Sequence, residues 1–93
     1  MNKLCVHGES TDVARFTEEF EHIMNISSYY CEVMTGRRVE FIFDTLDKTP
    51  TAQLKEAARL FPGVKFRLKF REPSLKIQGS ETFYVPQGQI GTA

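Results

Sequence analysis

Residues 64–71 alternate without a break. Val64, Phe66, Leu68 and Phe70 are apolar, and Lys65, Arg67, Lys69 and Arg71 between them are cationic. Side chains on a strand point to opposite faces with a period of two. The pattern therefore predicts a strand with one wholly apolar face and one wholly cationic face. A second alternating run sets Leu4 and Val6 against Lys3, Cys5 and His7 and stops at Gly8. It predicts the first strand of the chain.

The period then changes. Val13, Phe16, Phe20, Ile23 and Met24 recur at helical spacing, with Glu18, Glu19 and Glu21 off that stripe. Ser10 or Thr11 is expected to cap this helix, Asp12 suits the positive end of its dipole, and "NISS" ends it. Tyr29 to Met34 and Arg38 to Thr45 are rich in aromatic and β-branched residues, and Thr35-Gly36 between them predicts a hairpin turn. Val39, Phe41 and Phe43 then share one face, and Glu40, Ile42 and Asp44 the other. "DKTPTAQLKEAARLFPG" predicts a second helix, with Thr49 as its cap and Pro50 at its first position. Leu54, Ala57, Ala58 and Phe61 line one side of it, and Pro62-Gly63 ends it. Beyond the cationic strand, "PSLKIQGSETFYVP" predicts a short ribbon with a turn at Gly79, followed by a frayed tail.

The order is β-α-β-β-α-β. Two helices with one apolar stripe each can cover one face of a four-stranded antiparallel sheet. The expected fold class is α+β, a ferredoxin-like arrangement with a short C-terminal β extension. The expected domain spans residues 1–85, and residues 86–93 form a flexible tail. In that arrangement the first and third strands are central, and the second and fourth are edges.

Charge changes the picture. The net charge is zero, but residues 1–47 carry four bases against nine acids, a balance of −5, and residues 48–93 carry eight bases against three acids, a balance of +5. Such a chain is a charge dipole along its sequence. Strand parity puts Lys3, Cys5, His7, Glu40, Ile42, Asp44, Lys65, Arg67, Lys69 and Arg71 on the sheet face that the helices leave open. Cations are expected at the fourth-strand edge, and the acids of the third strand, with Glu32, toward the other. Three readings of the cationic strand follow: protection of a sheet edge against aggregation, a docking surface for an acidic partner, or a nucleic-acid surface. The candidate partner-binding residues are Lys65, Arg67, Lys69, Arg71, Glu40 and Asp44. The nucleic-acid reading is weaker, because Cys5, His7, Glu40, Ile42 and Asp44 offer central strands no aromatic on which bases stack.

Candidate chemistry is sparse. Cys5 and His7 share a strand face, but no spacing of Cys31 or His22 completes a metal set. Nothing orients a Cys–His nucleophile pair or supplies an oxyanion hole. Glu40 and Asp44 read as solvated charges, and no Gly-rich phosphate loop precedes a helix. No apolar run reaches the ~18–20 residues of a membrane span. The opening residues are too short and mixed for a signal peptide, so the cytoplasm is the default expectation, and two distant cysteines read as reduced thiols. No enzyme activity, metal or cofactor is expected.

Asn2, Leu4, Val6 and Gly8 form a start of the type NxLxVxG, and Phe43, Thr45 and Pro50 follow a pattern of the type FxTxWSPP. Phe61-Pro62, Phe66, Phe70, Glu72-Pro73 and Gly79 continue it with a helix ending in FP, alternating aromatics, an EP and a glycine. In this ordered set the chain resembles the YubB-like ferredoxin-like domain family of phage- and plasmid-borne proteins, over most of residues 2–79. Family members usually carry tryptophans in the hairpin and before the proline pair. This chain has none: Leu46 stands near that position, and Lys48-Thr49-Pro50 replaces Ser-Pro-Pro. The resemblance implies a mobile-element origin and the ferredoxin-like fold. It carries no established activity, and so no catalytic residue. The expected role is protein–protein binding to a host protein with an acidic surface, and inhibition of a host defence system such as CRISPR is one concrete version. In that case the protein works in the host cytoplasm. A nucleic-acid-binding module and a homo-oligomeric accessory module are the alternatives.

Overall fold

The computed structural model describes residues 1–45, 50–72 and 77–87. Seven elements follow in the order β1 (Asn2–His7), α1 (Ser10–Met24), β2 (Tyr30–Thr35), β3 (Arg38–Phe43), α2 (Thr51–Leu60), β4 (Lys65–Glu72) and β5 (Ile77–Phe83). The five strands make one sheet in the order β2-β3-β1-β4-β5, and every neighbouring pair is antiparallel. The protein is thus α+β, with five strands where four and a short extension are expected.

The alternation in the sequence becomes the two faces of this sheet. Leu4, Val6, Val39, Phe41, Phe43, Val64, Phe66 and Leu68 are buried on one side. There they meet Val13, Phe16, Phe20 and Met24 of α1 and Leu54, Ala57 and Ala58 of α2 in a single core. Phe16 stands at its centre, edge-on to Phe20, Phe41, Phe61 and Phe66 at 4.9–6.0 Å. Phe20 stacks flat on Phe41 at 4.1 Å. Ring pairs of this kind add to the burial that drives folding.

The helix ends differ in detail from expectation. Glu9 occupies the N-cap of α1 without a side-chain cap bond, so neither Ser10 nor Thr11 plays that part. Asn25 ends α1 in the left-handed region at φ 56°, a conformation that asparagine tolerates. Pro50 sits at the N-cap of α2, one position before its expected place. The expected cap Thr49 lies outside the described residues. After α2, Gly63 takes φ +87° and donates its N–H to the Val85 carbonyl at 2.8 Å, which ties the chain beyond β5 to this turn.

Two expectations about the C-terminal third are corrected. Gly79 is not a turn but lies inside β5, opposite Phe70. A Cβ there would stand 2.7 Å from the Phe70 ring, so glycine is needed for close approach. β4 is not an edge strand, because β5 pairs with it from Phe66 to Glu72. The edges are β2 and β5. On β2, Tyr30, Val33 and Met34 are exposed; Tyr30 faces Ile42 and so lies on the open side of the sheet. Most of the expected tail, residues 88–93, lies outside the described residues.

Candidate functional site

The uncovered face of the sheet is a lattice set by register. Facing residues of antiparallel neighbours share a side of the sheet, with Cβ atoms about 5 Å apart. One row runs Arg38, His7, Lys65 across β3, β1 and β4. The next runs Glu40, Cys5, Arg67, and the third Ile42, Lys3, Lys69. Rows stand roughly 6–7 Å apart, twice the strand rise per residue. Cys5 is the shortest side chain of the central group, and the long ones around it enclose a shallow concavity of about 290 Å³.

The face is not cleanly divided into a cationic edge and an acidic edge: Glu32 and Glu40 face each other on the β2–β3 side as expected, but Lys3 and Arg38 stand beside Glu40. Glu40 is 9% exposed, with its carboxylate 3.4 Å from Lys3 Nζ and 3.4 Å from an Arg38 guanidinium nitrogen. The expected acidic contact is therefore an internal counter-ion, shielded by two cations from neighbouring positions. The Arg38 guanidinium, in turn, has its pKa raised above the ordinary arginine value, first by its hydrogen bond to Cys5 and further by Glu40. Asp44 also departs from expectation. It lies at the end of β3, exposed, 3.5 Å from the Met1 ammonium and away from the concavity.

Lys65, Arg67, Lys69 and Arg71 all project beside one another as alternation requires, and all four are exposed. Lys65 stands over the Tyr84 ring, 5.9 Å from its centre, within cation–π range. Among the described residues, Arg67, Lys69 and Arg71 have no ion-pair partner. Beyond them β5 places Thr82 opposite Arg67 and Ser80 opposite Lys69, so hydroxyls border the cations. The acids Glu18, Glu19 and Glu21 are exposed on α1, on the helical side of the sheet. The sequence dipole thus runs through the sheet, from helices to open face.

The structure brings together Lys65, Arg67 and Lys69 of the candidate residues, with Arg71 at their end. It puts Glu40 into a supporting role and leaves Asp44 outside. Two contributors were missed. Arg38 shares parity with Glu40, which is a usable signal, since the expected strand begins at Arg38, but the parity argument starts from Glu40 and leaves it out. Tyr84 shares parity with Ser80 and Thr82, a signal hidden by the turn expected at Gly79.

Cys5 and His7 are neighbours on the open face, whereas Cys31 faces the core side of β2, where burial raises its thiol pKa. Among the described residues, no three His, Cys, Asp or Glu side chains converge as metal ligands would. Among the same residues, no helix is long and apolar enough to cross a membrane. Comparison with family models, curated proteins and solved structures finds no match.

Proposed function

We propose that the protein is a non-enzymatic binding module of the ferredoxin-like class, whose open sheet face docks on an acidic surface of a partner protein. The observation that carries this reading is the row of cations on β4. Arg67, Lys69 and Arg71 are exposed and have no anionic partner among the described residues, yet they sit inside the sheet and not at its edge. Edge protection explains cations on an edge strand; it does not explain them on a strand covered on both sides. The central position of β1 and β3, flanked by β2 and β4, supports the ferredoxin-like part of the reading, with β5 as an added strand.

The partner-binding residues in this reading are Lys65, Arg67, Lys69 and Arg71, with Lys3 beside them. Glu40 organises Lys3 and Arg38, and Asp44 takes no part. The YubB-like resemblance adds a mobile-element setting and a host protein as target, with interference in a host defence system as its concrete form. A line of unpaired cations favours association mainly by steering encounter and fixing orientation.

The test is the triple reversal of Lys65, Arg67 and Lys69 to glutamate. Affinity capture from host lysate, followed by mass spectrometry, is expected to lose the partner that the wild type retains at low salt. Melting should change little, because exposed substitutions typically shift stability by about 0.5 kcal/mol each. Wild-type capture should also weaken as salt rises. A reversal variant that melts normally and captures the same partner undiminished refutes docking through β4.

A further inference from the structure

The concavity over Cys5 is unevenly neutralised. On its β3 side Glu40 already serves Lys3 and Arg38. On its β4 side, Arg67 faces Cys5 and Lys65 faces His7 by register, and Arg67 has no anionic partner among the described residues. Thr82 adds an exposed hydroxyl directly beyond Arg67. Guanidinium, ammonium and imidazole groups thus border one hollow whose floor is a small thiol, with the Thr82 hydroxyl outside it beyond Arg67. This is a different arrangement from a flat cationic stripe, which attracts any acid equally.

The chemistry of the donors narrows the ligand. A carboxylate has one charge and two acceptor oxygens. A phosphoryl monoester has a charge of about −1.5 to −2 and three strong acceptor oxygens, and guanidinium groups bind it in charge-assisted, often bidentate, hydrogen bonds. Several donors around a hollow whose β4 side carries no counter-ion among the described residues match the second group better. We propose that the concavity receives a phosphorylated side chain of the protein partner, its phosphoryl group seated over Cys5 between Arg67, Lys65 and His7. This inference rests on the docking role proposed above and specifies its anchor.

A phosphodiester chain fits this face less well. Its phosphates come in a row and carry bases, and the central strands present no aromatic platform on the open side. An extended polyanion crossing the sheet also meets Glu32 and Glu40, which face each other on β2 and β3. A compact dianion over Cys5 avoids Glu32 and meets only the carboxylate already paired with Lys3 and Arg38.

The test uses two labelled peptides, one of alternating glutamate and glycine and one with its central glutamate replaced by phosphoserine. Binding is read by fluorescence anisotropy at low salt. The wild type is expected to hold the phosphoserine peptide at least ten-fold more tightly. Cys5→Leu fills the floor without changing any charge. It is expected to abolish that preference, bringing affinity for the phosphoserine peptide down to that for the glutamate peptide. If Cys5→Leu melts abnormally, Arg67→Gln replaces it and is expected to remove most of the preference while weakening both peptides. Equal wild-type affinity for the two peptides overturns the inference but leaves the docking role standing, as does a preference that survives in the variant. Failure of both peptides to bind the wild type overturns the docking role and the inference together. Tighter binding of a single-stranded oligonucleotide of equal charge overturns the choice of a protein-borne phosphoryl group.

Discussion

Phe66→Ala tests the core and the two-faced character of β4 in one experiment. Phe66 has no exposed surface, and its ring lies 4.9 Å from that of Phe16 at an interplanar angle of 66°. Val6 and Phe83 face it from the neighbouring strands. Truncation of a buried phenylalanine costs about 3–5 kcal/mol, from lost transfer energy and the cavity left behind. The edge-on ring contact accounts for about 0.5–1.5 kcal/mol of that. At roughly 0.05–0.15 kcal/mol per residue, a domain of this size has about 5–14 kcal/mol in total. The substitution therefore removes at least about a fifth of the stability, and most of it if the total is near the low end. Each kcal/mol moves the midpoint by about 4–8 °C in a domain of 60–100 residues, so the expected drop in Tm is roughly 12–40 °C. Circular dichroism melts and urea titrations on the wild type and the variant measure it. The adjacent Arg67→Ala is the control, and it should leave stability within about 0.5 kcal/mol, as exposed substitutions usually do. A drop below about 5 °C for Phe66→Ala, little more than 1 kcal/mol, contradicts the packing described here. An Arg67→Ala variant that is the less stable of the two shows that the faces of β4 are reversed.

Three further outcomes are expected. Glu40→Gln releases Lys3 and Arg38 from their shared counter-ion, so the melting point should fall modestly while low-salt affinity for a glutamate-rich peptide rises; weaker peptide binding would show that Glu40 itself contacts the ligand. Gly79→Ala should be destabilising by about 1–3 kcal/mol, the usual range for overpacking, and Phe70→Leu in the same chain should recover part of the loss in urea titrations; an unaffected single variant contradicts the close approach of that ring. Burial raises the Cys31 thiol pKa, so the unfolded chain releases this proton first as pH rises. In a Cys5→Ser background the associated stability should be complete below the unfolded thiol pKa and be lost as pH climbs through the folded one. Alkylation of Cys31 should also be slower in the folded protein than in urea, and equal rates would contradict its burial.

Much of the fold was legible because strand and helix periods are local. The faces of Leu4, Val6, Phe41, Phe43 and Phe66 follow from alternation alone, and each is buried as that alternation requires. Phe16, Phe20, Leu54 and Ala57 follow from the helical period in the same way. Gly79 misled because glycine serves two needs, a turn and a close approach, and only the position of the Phe70 ring distinguishes them. The site was half legible. Parity assembled Lys65, Arg67 and Lys69, but it could not show which acids answer which bases.

By itself the sequence determined which side of each strand is apolar and which is charged, since side-chain direction is a property of the local backbone. The tertiary structure alone decided what the charged side means. Whether β4 is an edge depends on β5 returning beside it, a pairing between segments whose separate patterns do not name each other. Whether Glu40 is a free acid depends on Lys3, thirty-seven positions earlier, arriving within 3.4 Å through the pairing of β1 with β3. Neutralisation is set by distance and desolvation between residues far apart in the chain, and neither quantity is encoded in any local window of sequence.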